Sequence, residues 1–167
     1  VIIPARYKSS RFPGKPLIKI LNKEMIIWVA ELSANAVGKD NVFVATDDER
    51  ISSTVNNYGF KHIMTNSDLL TGTDRVAAAS INLDYDIFVN VQGDEPLVNP
   101  RDILKSIEYF RDFFWDTVNL NSYDFAKYYQ ESVQFASQKG GAFEMFDIID
   151  NDKNCWRLWI SSNRRNW

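Results

Sequence analysis

Four cationic side chains crowd the first loop of the sequence, and their types are suited to holding an anion. Arginine grips phosphate oxygens through paired hydrogen bonds, and lysine attracts them as a point charge. The first 23 residues contain six cations and no acid, whereas the whole chain of 167 residues has a net charge of −3. This local excess of positive charge indicates a focused anion site rather than a surface for long polyanions. The four cations of the loop are Arg6, Lys8, Arg11 and Lys15.

The second candidate residue is an acid, Asp94. It directly follows Gly93, at the end of an apolar run. A carboxylate at the end of a strand can hold Mg²⁺ between phosphate oxygens. An acid in this place also serves as a turn or capping residue, so the residue type alone leaves both interpretations open. Segments 46–48 and 71–75 carry further polar residues, and helix capping competes with ligand binding in both. Thr73 is the predicted cap of the helix after the second segment.

The elements that must position these residues alternate between strands and helices. Short apolar, β-branched runs predict strands, and the first of them should end at Pro4, because proline cannot donate to a sheet. The predicted strands are 1–3, 42–45, 61–64 and 87–91. Apolar residues at helical spacing predict the helices, which are 25–35, 49–58, 73–82 and one that starts at Asn99.

This alternation predicts an α/β fold with a mostly parallel sheet and right-handed crossovers. The polar loops 5–16, 46–48 and 92–96 all follow strands, so they should gather at one edge of the sheet, where such folds bind ligands. A nucleotide-type site is therefore expected. The glycine patterns of P-loops and of dinucleotide-binding motifs are both absent from the sequence.

The remaining composition excludes several classes of protein. A single cysteine, Cys155, excludes an intramolecular disulfide and fits a reducing compartment, so we expect a cytoplasmic protein. A single histidine, His62, makes catalytic triads and histidine-rich metal sites poor explanations. No apolar run approaches the roughly 20 residues of a membrane span. We therefore expect no membrane as a partner. We expect no nucleic acid either, because the positive charge is focused in one loop.

The opening stretch carries a pattern that is known from one family of enzymes. Pro-Ala-Arg, Ser-Arg and Pro-Gly-Lys-Pro-Leu follow one another within residues 4–17. This order and spacing resemble the N-terminal signature of the sugar-acid cytidylyltransferases. The resemblance is strongest to the 3-deoxy-manno-octulosonate (Kdo) cytidylyltransferases, the CMP-Kdo synthetases. Segments 46–48, 71–75 and 89–96 resemble later motifs of the same family.

The resemblance implies a fold and a reaction. The fold would be Rossmann-like, of the nucleotide-diphospho-sugar transferase type. The reaction would transfer CMP from CTP to the anomeric hydroxyl of Kdo and release pyrophosphate, a step in lipopolysaccharide precursor synthesis. The resemblance also implies Mg²⁺ as the cofactor and CTP and the sugar acid as small-molecule partners. It implies a homodimer if the C-terminal part of the chain is family-like.

The resemblance also assigns roles to residues. Arg6, Lys15 and Asp94 would be catalytic. Asp94 would be the metal ligand, and Gln92 would contact the sugar acid. The loop at 71–75 would contact the cytosine ring, whose amine and carbonyl need acceptors and donors from backbone groups and an arginine. Its glycine would let the base approach closely. The implied nucleotide-binding set is Pro4, Ala5, Arg6, Arg11, Lys15, Thr71, Gly72, Thr73 and Arg75.

The resemblance ends near residue 112. We expect residues 1–112 to form the nucleotide-binding domain, and 113–167 to be the rest of that domain or a diverged part for sugar binding or dimerisation. Of the 23 aromatic residues, 15 lie from Tyr109 onward, and the family's His-Gly-Tyr motif and second metal carboxylate are not recognisable there. Two alternatives stay open. They are activation of another sugar acid, such as a sialic-type acid, and a nucleotide-binding remnant without turnover.

Overall fold

The computed structural model describes residues 1–8, 12–85, 87–117, 142–149 and 155–162, with side chains up to residue 108. Strands and helices alternate, as the apolar pattern predicts. In chain order the elements are β1 (Ile2–Ala5), β2 (Lys19–Ile20), β3 (Lys23–Glu24), α1 (Met25–Val37), β4 (Phe43–Thr46), α2 (Glu49–Asn57), β5 (Lys61–Met64), α3 (Gly72–Ser80), β6 (Phe88–Val89), α4 (Pro100–Thr117), β7 (Ala142–Ile149) and β8 (Cys155–Ser162). Short 3-10 turns form at Lys15–Leu17 and Lys39–Asn41.

The sheet that carries the opening loop is parallel and has the strand order β1-β4-β5. Ile2 pairs with Phe43, and Phe43 pairs in turn with Lys61. On its other side β1 meets the residues after β6, through a parallel bridge between Ile2 and Asn90 and a 3.2 Å hydrogen bond from Val91 N to Ile2 O. Because these segments run in the same direction, the loops that follow them emerge at one edge. The predicted α/β fold is confirmed.

Helices cover both faces of this sheet, because successive side chains of a strand point to opposite faces. Ile3 and Val44 are buried in one cluster with apolar residues of α1, α2 and α4. Ile2 and Phe43, one position earlier in each strand, are buried in a second cluster with Val76 of α3. The near-continuous apolar runs in the sequence follow from this burial on both faces.

The prediction that β1 ends at Pro4 is wrong, because the strand continues to Ala5. Val1 O accepts a hydrogen bond from β4, whereas Ile2 O accepts one from Val91 N on the opposite side. Strand alternation therefore turns the nitrogen of Pro4 away from β4, toward the side where pairing is limited to an isolated bridge. Proline costs no ladder hydrogen bond there, so the strand tolerates it.

Helix α3 is capped by Thr71 rather than by Thr73, which corrects the prediction. Thr71 Oγ1 accepts from Asp74 N at 3.0 Å, and Asp74 Oδ2 accepts from Thr71 N at 3.0 Å, which closes a capping box. Thr73 lies within the first turn of the helix. The acid that completes the box stands three residues after Thr71, whereas Val76 stands three residues after Thr73.

Strand β6 is shorter than the predicted strand 87–91, and it joins a second, antiparallel sheet. Phe88 pairs with Ile149 of β7, and β7 pairs with β8 along its whole length. The division of the chain near residue 112 falls within α4 and stays a prediction. Among the described helices, none is long and apolar enough to cross a membrane.

Candidate active site

A cavity of about 610 Å³ opens at the C-terminal end of β1. Three segments build most of its wall: the loop after β1, the start of α3 and the turn after β6. The predicted loops 5–16 and 92–96 therefore meet at the cavity. Segment 46–48 is not part of the wall that the described residues form, but its Asp47 contacts Arg75, which is. The lining residues are Pro4, Ala5, Arg6, Phe12, Lys15, Pro16, Ile18, Met25, Leu69, Thr71, Gly72, Arg75, Gln92, Gly93 and Asp94.

Lys15 is held at the cavity by a tight turn that begins with Gly14. Gly14 has a φ of 73°, in the left-handed region that glycine enters without strain. Its nitrogen donates to Tyr7 O at 2.9 Å, and its oxygen accepts from Leu17 N at 2.9 Å. Pro16, the second residue of the 3-10 turn, is buried beside it, and its ring fixes the backbone φ there. Lys15 therefore stands on a backbone that is restrained on both sides.

Asp94 meets Lys15 at the cavity. Lys15 Nζ lies 2.5 Å from Asp94 Oδ2, although 79 residues separate the two in the sequence. Their side chains are 42% and 51% exposed, so a ligand in the cavity can reach both charges. A hydrogen bond of 3.2 Å from Glu95 N to Gln92 O closes the turn that presents Asp94.

Gly93 allows this turn to approach β1. A Cβ atom at this position would lie 2.7 Å from the backbone oxygen of Pro4 and 3.2 Å from Cδ1 of Ile26. The first distance is shorter than any normal carbon–oxygen contact, and a backbone oxygen cannot swing aside as a side chain can. The position beside Asp94 therefore requires glycine.

Gln92 is oriented by a buried neighbour. Its Nε2 donates to Oδ1 of Asn90 at 3.0 Å, and Asn90 is only 1% exposed. The other end of the carboxamide, Oε1, lies 3.3 Å from where a Cβ of Gly72 would be. The turn after β6 thus packs directly on the start of α3, and Gln92 lines the cavity between them.

The start of α3 contributes backbone rather than free hydroxyls. The side chains of Thr71 and Asp74 are both engaged in the capping box, and Gly72 lines the cavity without a side chain. A Cβ on Gly72 would also come within 3.3 Å of Pro4 Cγ, so this glycine permits close packing against β1. Thr73 does not belong to the cavity wall that the described residues form.

Arg75 lies in the wall as a buried cation that is 3% exposed. Its guanidinium donates to Oγ1 of Thr65, and its Nη2 lies 3.6 Å from Oδ1 of Asp47, which is itself 11% exposed. Asp47, which is not one of the lining residues, therefore balances the charge of Arg75. Sequence reasoning considered Asp47 only with its neighbours as a cap or ligand, and the capping role belongs to Asp48, whose side chain accepts from Arg50 N.

Most of the predicted site residues come together in this cavity. Arg11 lies outside the described residues, and Thr73 is not among the described residues that line the cavity. Sequence reasoning missed the apolar residues Phe12, Ile18, Met25 and Leu69, which line the cavity. Phe12 stood within the opening signature and could have been found there. The other three carry no signal, because isolated apolar residues are common in any fold.

Known proteins share the sequence that builds this cavity. Residues 1–145 match the family model of the cytidylyltransferases. The chain belongs to the cytidylyltransferase family. Over 100 residues it is 54% identical to a 3-deoxy-manno-octulosonate cytidylyltransferase of Syntrophotalea carbinolica, which covers 60% of this chain and 40% of the relative. Over 114 residues it is 49% identical to an 8-amino-3,8-dideoxy-manno-octulosonate cytidylyltransferase of Shewanella amazonensis, which covers 66% of this chain and 46% of the relative.

Solved structures of cytidylyltransferases are also similar to this chain. One described as CMP:2-keto-3-deoxy-manno-octonic acid synthetase complexed with CTP is 46% identical, with a TM-score of 0.64 over 66% of this chain and 46% of that chain. A cytidylyltransferase from Leptospira borgpetersenii is 23% identical, covers 65% of this chain and 46% of that chain, and shares the fold with a TM-score of 0.57. This cytidylyltransferase chain spans about 40% to 46% of the length of the curated relatives it matches.

The wall of this cytidylyltransferase contains one carboxylate that is suited to Mg²⁺. The described residues contain no cluster of three or more acidic, histidine or cysteine side chains that could hold a metal ion. Mg²⁺ commonly takes one or two carboxylates together with water and substrate phosphates. Asp94 therefore fits an ion that is shared with a triphosphate, and its carboxylate already attracts a cationic group, the ammonium of Lys15.

The electrostatics of the cavity favour an anionic ligand. Arg6, Lys15 and Arg75 line it, against the carboxylate of Asp94 in the wall and that of Asp47 beside Arg75, which leaves an excess of positive charge at Arg6. The exposed Arg6 stands at the end of the buried strand β1, where the chain leaves the core. Positive side chains around a concave wall raise the local potential and attract phosphates. The cavity can therefore bind a polyphosphate and stabilise charge that develops on it.

Proposed function

We propose that the protein activates a Kdo-type sugar acid by transferring CMP to it from CTP. The observation that carries this proposal is the meeting of Lys15 and Asp94, 2.5 Å apart, in a cavity that has two further cations. Such a wall suits a nucleoside triphosphate with a metal ion better than a neutral ligand. The family and the curated relatives support cytidine as the base and an octulosonate as the acceptor.

In the proposed reaction, the anomeric oxygen of the sugar acid attacks the α-phosphorus of CTP. A bond forms between that oxygen and phosphorus, and the bond from phosphorus to the bridging oxygen breaks. Pyrophosphate leaves with the electron pair, and the proton of the hydroxyl passes to water. Arg6 and Lys15 counter the negative charge on the phosphates, which lowers the barrier. A bound Mg²⁺ neutralises phosphate charge in addition, and Asp94 is the residue we assign to hold it.

We assign the rest of the cavity to the base and the sugar acid. The start of α3, with Thr71, Gly72, Thr73 and Arg75, is the proposed cytosine site, since its backbone offers donors and acceptors at fixed positions. Pro4 and Ala5, which line the cavity, are assigned to nucleotide binding, and Arg11 keeps its predicted role on the triphosphate. Gln92 is the proposed contact to the sugar acid, because Asn90 fixes its carboxamide at 3.0 Å.

Release of pyrophosphate from CTP and Kdo in the presence of Mg²⁺ tests the proposal. Asp94→Asn should reduce the rate by at least about 100-fold, the typical effect of removing a group that stabilises transition-state charge. Asp84→Asn is the control, because Asp84 is an exposed acid outside the cavity wall. The control should keep the rate of the unchanged protein.

The outcomes separate the proposal from its alternatives. Equal rates for Asp94→Asn and Asp84→Asn would contradict the role of Asp94. If the unchanged chain releases no pyrophosphate, calorimetric titration with CTP decides what remains. Saturable binding that Lys15→Met weakens would leave a nucleotide-binding remnant, and the absence of both binding and release would overturn the nucleotide site itself.

A second acceptor has specific support. Relatives named 8-amino-3,8-dideoxy-manno-octulosonate cytidylyltransferase are 49% and 50% identical to this chain, close to the values for the Kdo enzymes. The two sugar acids differ at carbon 8, which carries an amino group in one and oxygen in the other. Initial rates with each acid as the limiting substrate, and with a sialic-type acid as a third, would identify the preferred acceptor by kcat/KM.

We also propose that the complete protein is a homodimer and that it works in the cytoplasm, where CTP is available. The resemblance to the sugar-acid cytidylyltransferases supports both statements. Sedimentation equilibrium of the complete protein tests the first, because the mass of a monomer at all concentrations would contradict it.

A further inference from the structure

We propose that Tyr7 is a positioning residue that holds the opening loop so that Lys15 reaches Asp94, and that Arg50 of α2 holds Tyr7. This inference rests on the proposed function for its effect on CTP. The contact of Tyr7 with the loop, by itself, is independent of any ligand. Tyr7 is half-buried and does not belong to the cavity lining formed by the described residues, so its effect on a ligand must pass through other residues.

Tyr7 closes the base of the loop in two ways. Its backbone oxygen accepts a hydrogen bond from Gly14 N at 2.9 Å, immediately before Lys15. Its ring also packs on the same residue: a Cβ on Gly14 would lie 3.1 Å from Cε2 and Cζ of Tyr7 and 3.2 Å from its hydroxyl oxygen. The ring thus supports the left-handed residue from which the Lys15 turn starts.

Arg50 fixes the position of the ring. Its guanidinium carbon lies 3.3 Å from the ring centroid, a close stacking contact. The guanidinium is itself held by two hydrogen bonds to Asp48, from Nε to Oδ1 at 2.9 Å and from Nη2 to Oδ2 at 2.7 Å. The Asp48 side chain also caps α2 by accepting from Arg50 N at 3.0 Å. A continuous set of contacts therefore joins the N-terminus of α2 to Gly14.

The chemistry of Arg50 favours this role over a direct contact with phosphate. Its two hydrogen bonds to Asp48 neutralise its charge and use the planar fork that would otherwise grip an anion. The guanidinium can stack on the ring of Tyr7 and, in its own plane, donate both hydrogen bonds to Asp48. A lysine side chain cannot make both contacts. Fixing the loop before a ligand arrives removes part of the ordering cost of binding. Tyr7 and Arg50 should therefore strengthen CTP binding without touching CTP.

Two measurements on a small set of variants test the proposal. The first is amide hydrogen exchange at Gly14 and Leu17, whose N–H groups bond within the loop, and the second is calorimetric titration with CTP and Mg²⁺. Tyr7→Ala should speed exchange at both amides and weaken CTP binding by about tenfold, which corresponds to about 1.4 kcal/mol. Tyr7→Phe keeps the ring and should behave like the unchanged chain in both measurements.

Arg50→Gln tests the second part, with Arg101→Gln as its control. Arg101 is an exposed arginine of α4, remote from Tyr7 in the sequence and outside the cavity wall. Arg50→Gln should shift exchange and affinity in the same direction as Tyr7→Ala, and Arg101→Gln should shift neither. If Tyr7→Ala does not fold, Tyr7→Leu replaces it, because leucine keeps apolar bulk without the aromatic face.

The results distinguish failure of this inference from failure of the proposed function. Unchanged exchange in Tyr7→Ala or Tyr7→Leu overturns the positioning role, whatever CTP does. Faster exchange with unchanged CTP affinity overturns the link from the loop to the ligand. Faster exchange in a chain that binds no CTP in any form supports the positioning of the loop and contradicts the proposed function alone.

Discussion

At the scale of single residues, the site depends on contacts between atoms that the sequence keeps far apart. Lys15 and Asp94 carry opposite charges at 2.5 Å, and both are about half exposed. An exposed ion pair contributes little to stability, with a median near 0 to 1 kcal/mol. The pair therefore adds little to the stability of the fold, and both charges are accessible to a ligand in the cavity. Gly93, by contrast, is required by packing, because the neighbouring backbone occupies the space of a side chain.

The Gly93→Ala substitution separates these two kinds of residue. Its methyl group would meet the Pro4 oxygen at 2.7 Å, so the turn must move and unfolding should become easier by about 1 to 3 kcal/mol. Urea denaturation measures this change. Gly72→Ala is the matched control, because its methyl group would meet side-chain atoms at 3.3 Å, a milder overlap than the 2.7 Å to a backbone oxygen at Gly93. Equal stability of the two variants would contradict the steric argument.

At the scale of elements, helix N-termini organise the edge of the sheet where the cavity opens. Thr71 and Asp74 cap α3, whose first turn lines the cavity. Asp48 caps α2 and holds Arg50. The hydrogen bond from the Arg50 side chain, helped by backbone N–H groups of the first turn, lowers the pKa of Asp48 below its usual 3.8 despite partial burial. The charged carboxylate is therefore the form that the folded chain prefers.

This preference predicts a pH dependence of stability. Because the pKa of Asp48 is lower in the folded chain, its contribution is complete above about pH 4, the unfolded value, and disappears as the pH falls through the folded value. Asp48→Asn retains a good cap but loses the charge. Free energies of unfolding in urea should show Asp48→Asn less stable at pH 6, with the difference shrinking toward pH 3. A constant difference across that range would show that the charge is not the cause.

At the scale of the whole molecule, the parallel sheet turns three distant segments into one wall. The loops after β1 and β6 follow neighbouring segments of the sheet, because Ile2 bridges to Asn90. Helix α3 packs on the sheet face that carries Ile2 and Phe43, and its N-terminus lies at the same edge as the two loops. Helices on both faces bury the strands, so the wall has a rigid support. A ligand that bridges the three segments should therefore stabilise the entire chain rather than one loop.

Thermal unfolding with CTP tests this consequence. A ligand present at about 100 times its dissociation constant adds about 2.7 kcal/mol to the stability of the folded state. CTP with Mg²⁺ should therefore raise the Tm of the chain, and Lys15→Met should reduce the rise at equal CTP. Lys61→Met is the control, because Lys61 is an exposed cation at the start of β5. The same rise in both variants would argue against a triphosphate at Lys15.

The order of strands and helices was predictable because each element has a local signal. Apolar runs indicated the buried strands, and glycines marked helix ends, as at Gly59, which has a φ of 70° after α2. The failures concern choices between equivalent local signals. Two threonines could cap α3, and only the partner at Asp74 decided between them. Pro4 looked like a strand end until the pairing of its neighbours showed which side its nitrogen faces.

The sequence by itself determined the family, the basic opening loop and the carboxylate after Gly93, because these depend on residue types in a fixed order. Only the tertiary structure decided that Lys15 touches Asp94, that Asp47 balances the charge of Arg75, and that Arg50 stacks on Tyr7. The physical reason is that these contacts join segments whose distance in the chain says nothing about their distance in space. The crossovers of a parallel sheet bring them together at the edge where its strands end.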